Sequence, residues 1–470
     1  MLPPRLPIKS ETIPLYGHRQ FQIAGMSNHV KYGFNKGFWP SGLKIYRTVV
    51  VIFNRLRRAI ARTLLITSLA TMGGCHLLTN RLGGAFEPVP EDLKAELSPG
   101  AAALVDLAFA GLDRSRLADA HVHHISREIH PSWRSWSSPI RRLRTDIFLS
   151  GAGVVWAEDV EQRYIERLER LAAHFPRGTS FFLYALDRTH DVAGNPQPDH
   201  TPIYVSNDSV WEVAQKSAAS FVPVISIHPA RPDAIEQLHR WAARGVRYVK
   251  WLPGTMKIDP ADSAHDAFYR AMREHEMILL SHTGDEHAVE TVDQELGNPL
   301  RLRRALERGV TVVALHAASN GSFRDLDAPT RASDSLPGSS RVPGIDLLMR
   351  MMDEPAYVKY LYAEISAITY FNHLDAPLRR LLARPDLHHR LINGSDYPIV
   401  GLNVVIQTGA LQRNGFITAD ERQWLNEIYR KNPLLFDFVV KRTVRHPDTG
   451  EPFRPEAFLL PEHWSRATKP

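Results

Sequence analysis

The chain has 470 residues, 44% of them hydrophobic and 23% charged, the balance of a globular protein with a large buried core, long enough for one large domain with extensions or for two or three ordinary ones. The formal net charge of +6 sits in short clusters such as "RLRRAIAR" (55–62) and "RRLR" (141–144), not in a long basic stripe interleaved with aromatics, so a nucleic-acid role has little support. A lone cysteine, Cys75, excludes an internal disulfide and a cysteine-ligated zinc site.

Residues 1–53, rich in Pro, Gly and aromatic residues and without periodicity, read as an extension outside the folded body. The 54–75 segment, "NRLRRAIARTLLITSLATMGGC", has a basic start, an apolar run from Thr63 to Met72, and then Gly73-Gly74-Cys75. The run is too short to span a bilayer but has the length of a signal-peptide core. Small residues before a single cysteine resemble the lipobox of bacterial lipoproteins, which implies lipidation of Cys75. Two features depart from that pattern: Met72 stands where Leu is usual and Gly73 where Ala or Ser is. The upstream residues would also require a later translation start, near Val50 to Ile52. The alternative is an internal amphipathic helix with a buried cysteine. On the lipoprotein reading the protein faces the periplasm or exterior of a bacterial membrane; the other placement is cytoplasmic. Residues 76–116 then form a tether and lead-in, flexible over about 76–95.

From residue 117 the pattern changes to short apolar runs alternating with amphipathic stretches. The runs are "LADAHVHH" (117–124), "FFLYALD" (181–187), "FVPVISIHP" (221–229), "VRYVKWLP" (246–253), "MILLSHTG" (277–284), "VTVVALHA" (310–317), "LYAEISA" (361–367) and "LINGSDYP" (391–398). Continuous β-branched and aromatic character suits strands of a parallel sheet buried on both faces. Helical patterns at 157–175, 233–245, 264–276 and 298–309 lie between them and close on Gly or a polar turn. The class is therefore α/β, a (β/α)8 TIM barrel over 117–445 with an N-terminal extension and a helical C-terminal closure over 399–445. No GxGxxG follows the first strand, which argues against a dinucleotide-binding open sheet. Two long connections, 188–206 and 318–344, leave C-terminal strand ends and read as pocket rim. The Pro-rich tail, 446–470, is expected to wrap the surface.

Polar residues gather at the ends of these runs. His121 and His123 end the first, Lys250 the fourth, His282 the fifth, His316 the sixth and Asp396 the eighth. Residues two apart on a strand share a face, so His121 and His123 can grip one cation together. His124 is out of that register and reads as structural. His228 ends the third run and is a candidate substrate contact, with Arg188, His190, Trp251 and Tyr397 as further candidates for the pocket wall.

This ordered set resembles the amidohydrolase superfamily, and "NGSDYP" (393–398) is similar to the strand-eight signature of its amidohydrolase-2-like branch, which holds decarboxylases as well as hydrolases. The resemblance implies a metal site built from His121, His123, Lys250, His282, His316 and Asp396, holding one or two cations. Imidazole and carboxylate donors suit Zn2+, with Mn2+, Fe2+ or Co2+ as alternatives. In the two-metal form His121, His123 and Asp396 bind one cation and His282 and His316 the other, with a carbamylated Lys250 bridging them. In the one-metal form His121, His123, His282 and Asp396 are ligands and His316 polarises substrate. Asp396 and His316 are the expected catalytic residues. The implied reaction is hydrolysis of an amide, lactone or other ester of a small molecule by a metal-activated water. The alternatives are non-oxidative decarboxylation of an aromatic or unsaturated acid, and a catalytically silent, membrane-tethered binding protein.

Overall fold

Eight apolar runs form eight parallel strands of one sheet, and a short hairpin is inserted between the sixth and the seventh. In chain order they are β1 (Ala118–His123), β2 (Ser180–Tyr184), β3 (Ser220–Ile225), β4 (Tyr248–Trp251), β5 (Ile278–His282), β6 (Thr311–Leu315), the hairpin strands β7 (Ser322–Arg324) and β8 (Arg341–Pro343), β9 (Leu361–Glu364) and β10 (Leu391–Ile392). The large sheet runs β1-β2-β3-β4-β5-β6-β9-β10. The chain just beyond β10 returns to β1: Ala120 N donates to Asn393 O, Asp396 N to His121 O and His123 N to Tyr397 O, at 2.8–2.9 Å. These bonds bring the last strand beside the first, as a (β/α)8 barrel requires. In this computed structural model residues 81–84, 86–126, 139–328, 341–374 and 376–465 are described. Cys75, the 54–75 segment and the 1–53 extension lie outside the described residues. Among the described residues no helix is long and apolar enough to cross a membrane.

Alternation along the strands sorts side chains into two apolar clusters. Phe182 and Tyr184, Val222 and Val224, Ile278 and Leu280, and Val313 and Leu315 fill the barrel interior. Their neighbours Phe181, Leu183, Leu279, Val312 and Ala314 face the surrounding helices. β1 breaks the alternation. Ala118 and Ala120 belong to the interior while Val122 faces outward, and its register with β2 shifts between Asp119 and Val122. The irregularity changes the strand's phase so that His121 and His123 both turn inward at the rim.

Helices Val160–Ala172, Ala234–Ala243, Asp266–Glu274 and Arg303–Glu307 fall where the sequence patterns place them, the last preceded by a 3-10 turn. Closure comes from helices Thr408–Arg413, Ala419–Lys431 and Pro433–Thr443. Two regions differ from expectation. The end of the supposed tether is packed down: Phe86 meets the Tyr429 ring edge-on, Lys431 pairs with Glu87, and Leu93 and Leu97 are buried. The tail passes beyond the surface, because Leu460 and Trp464 join the interior cluster with Tyr248 and Tyr362 at the N-terminal end of the barrel. Both segments bury large apolar side chains that a free or surface-running chain would leave in water.

Candidate metal centre

At the C-terminal rim the expected ligands meet. His123 Nε2 lies 3.0 Å from Asp396 Oδ1, and His121 Nε2 lies 3.3 Å from the same oxygen. His316 sits with its ring centroid 4.9 Å from that of His121 and 4.7 Å from that of His282. His121, His123 and Asp396 each offer one donor atom within 4.8 Å of the others. The contact between His121 Nε2 and Asp396 is close but misaligned, so that nitrogen has no hydrogen-bond partner, and neither has His282 Nε2. Buried ring nitrogens without partners are rare and costly. Nitrogens aimed at a shared point instead of at each other are what a cation needs.

The opposite ring nitrogens are occupied. His121 Nδ1 lies 3.2 Å from Glu364 Oε2, and His316 Nδ1 lies 2.8 Å from Ser366 Oγ, which donates to the same carboxylate oxygen. His282 Nδ1 faces Glu286 Oε2 at 3.4 Å. Glu364 also accepts from the backbone N–H groups of His316 and Ser366. Glu364 with His121 and His316 makes a second close acidic cluster, but its oxygens are taken, so it orients imidazoles instead of binding a cation. Outer partners of this kind fix the tautomer and aim of metal-binding histidines. Gly394 makes the approach feasible: a Cβ there would stand 2.4 Å from Glu364 Oε1 and 2.7 Å from His121 Cβ.

Burial sets the charge states. It holds His121 and His316 well below the ordinary imidazole range and His282 down to about 3, with the Lys250 charge adding to the effect on all three. All three are thus neutral, the form that binds metal. Burial also lowers Lys250 to about 8 and raises Glu364 to about 7. The backbone is strained where it presents these side chains: His316, Ala317 and Ala318 have φ of 60°, 48° and 47°, and Asp396 has 58°. Left-handed non-glycine residues cost of order 1 kcal/mol each and cluster at functional sites.

The cluster opens on a cavity of about 260 Å3, whose lining includes His123, Lys250, His282, His316 and Asp396. A family profile described as Amidohydrolase, the Amidohydro_2 family, matches residues 118–436. The chain belongs to this amidohydrolase family. No curated protein matches the chain significantly. Solved structures to which the chain is similar include an uncharacterised TIM-barrel protein from Bordetella bronchiseptica, 17% identical, TM-score 0.41, with 66% of this chain and 98% of that one covered. A protein described as a 2-pyrone-4,6-dicarboxylic acid hydrolase from Pseudomonas putida is 15% identical, TM-score 0.35, with 60% and 83% covered. A 2,6-dihydroxybenzoate decarboxylase from Rhizobium is 14% identical, TM-score 0.37, with 68% and 98% covered.

In this amidohydrolase the five candidate pocket contacts fall elsewhere, and none of them lines the cavity. Trp251 alternates with Lys250, so it points outward onto Phe268 and donates from Nε1 to Ile227 O. Tyr397 alternates with Asp396, is stacked on Tyr164 and donates to Ala152 O. His228 is tied to Met256 O and the Ala230 N–H, with the His190 ring centroid 4.9 Å away. Arg188 covers the Tyr204 ring. His124 turns outward to Glu161 and Ser209, a structural place. Of the two long connections, the first supplies Ile203 and the second Asn320 to the cavity, while Asp285–Val289 and residues 399–405 supply more of the wall. Glu364, Ser366 and Glu286 were not singled out from the sequence. For Glu364 a signal existed, an acid ending the otherwise apolar run "LYAE".

Proposed function

We propose that the chain is a metal-dependent hydrolase that cleaves an amide, lactone or other ester bond of a small molecule. The observation that carries this reading is the convergence of His121 Nε2, His123 Nε2 and Asp396 Oδ1, with His282 Nε2 unpartnered on the wall of the same cavity. Imidazole nitrogens and a carboxylate fit Zn2+, and also Mn2+, Fe2+ or Co2+. A divalent cation held there supplies Lewis acidity and a bound water acidic enough to be hydroxide near neutral pH. In this reading Asp396 takes the proton of the attacking water and returns it to the leaving group. His316, anchored through Ser366, presents its other nitrogen toward the cavity to polarise the substrate carbonyl. Leu186, Ile203, Leu252 and Val405 give the cavity an apolar wall that limits water.

Among the described residues the cluster whose donor atoms are free is His121, His123 and Asp396, which supports a single cation as our reading over two. Elemental analysis of the purified protein tests this directly. The expected result is about one divalent ion per chain, lost in His123→Ala and in Asp396→Asn. Full metal retention in both variants would refute the site. A product screen with lactones, N-acyl compounds and aromatic acids separates hydrolysis from decarboxylation by the appearance of a new acid or of CO2.

A further inference from the structure

The cavity holds one ammonium that no carboxylate among the described residues pairs with directly. Lys250 ends the interior face of β4, is 1% exposed and lines the cavity. Its ammonium lies 4.8 Å from the centre of the Tyr184 ring. Among the described residues no carboxylate forms an ion pair with it. The acids around it are turned to other donors: Glu364 to Ser366, His316 and His121, Glu286 to His282 and to the Ala288 and Val289 N–H groups, and Asp396 to His121 and His123. The contrast with Lys441 is informative. That lysine is equally buried, but Asp437 meets it at 2.5 Å. An ammonium removed from water without a partner is expensive, and the open side of Lys250 faces the space a substrate would enter.

Part of the remaining wall is apolar, with Phe148, Leu186, Leu252 and Val405 along it, and the rest carries polar side chains such as Asp285, Glu286 and His373. We propose that Lys250 anchors the carboxylate of a small, otherwise largely apolar organic acid, so that the bond to be broken lies over His121, His123 and Asp396. This rests on the cavity being the substrate site. It gives the strand-four lysine a role different from that of a carbamylated bridge between two cations.

Calorimetry on the metal-loaded full chain, with benzoate as anionic probe and benzyl alcohol as its neutral counterpart, tests the assignment. Wild-type protein should bind benzoate more tightly than benzyl alcohol. Lys250→Met should weaken benzoate by about thirtyfold or more, leaving benzyl alcohol binding and metal content unchanged, while Lys250→Arg keeps part of the preference. Equal weakening of both probes overturns the proposal. So does a carbamate carbon signal in protein equilibrated with 13C-bicarbonate, or metal loss in Lys250→Met. If Lys250→Met does not fold, the wild-type comparison decides: binding both probes alike, or neither, overturns the anchor. Failure of the parent reading looks different, since the wild-type protein would then hold no divalent ion whatever the probes do.

Discussion

The most exacting residue in the site is Glu364, because one carboxylate serves three elements. It receives His121 of β1, the backbone of His316 after β6, and Ser366 beyond its own strand. Substituting Glu364→Gln keeps the volume but swaps one acceptor oxygen for an NH2 donor, so at least one of those bonds becomes a clash of donors. Metal affinity should fall by about 10- to 100-fold, read by competition with a chromophoric chelator, while the far-ultraviolet circular dichroism stays that of wild type. Unchanged affinity would mean that the aim of His121 is set by packing alone. His121, His123 and Asp396 were legible in the sequence because ligand chemistry at strand ends follows a two-residue period. Glu364 was less so: a buried acid that serves other side chains looks, in one dimension, like any polar strand end.

Among the elements, the eight strands were readable because burial on both faces of a parallel sheet demands continuous apolar runs. The break in β1 was not, since nothing in "ADAHVH" marks where the alternation slips. The error over Trp251 and Tyr397 has the same origin: each adjoins an inward-facing polar residue and therefore faces outward, which the period itself would have shown. The helix Pro433–Thr443 acts on the site from behind. Lys441, buried on it, reaches Asp437 one turn earlier and donates to Gly394 O, the backbone just before Asp396. Removing the lysine alone strands a buried carboxylate. Lys441→Met should therefore cost about 3–5 kcal/mol in denaturant unfolding, and adding Asp437→Leu should restore most of it, because replacing both charges with apolar groups is often close to neutral. A Lys441→Met variant as stable as wild type would show that the pair does not brace the strand.

At the scale of the whole molecule, the barrel has a chemical end and a mechanical end. His121, His123 and Asp396 crowd the C-terminal rim, and the opposite mouth is stopped by Trp464, 3% exposed, with its ring centroid 4.8 Å from that of Tyr362. Composition alone sent this Pro-rich tail over the surface. A single tryptophan at its end carries too little pattern to announce that it turns inward, since the fit depends on its tertiary place against Tyr248 and Tyr362. The separation of the two ends makes a clean prediction. Trp464→Ala removes a large buried ring and should cost about 3–5 kcal/mol, lowering the thermal midpoint of the metal-free protein. The cation cluster, fixed by strand ends at the other rim, should keep its affinity in the same variant below the new midpoint. Loss of metal binding together with stability would show that the interior column of side chains between plug and rim transmits the cavity to the ligands; loss of neither would show that the tail rests against the barrel without supporting it.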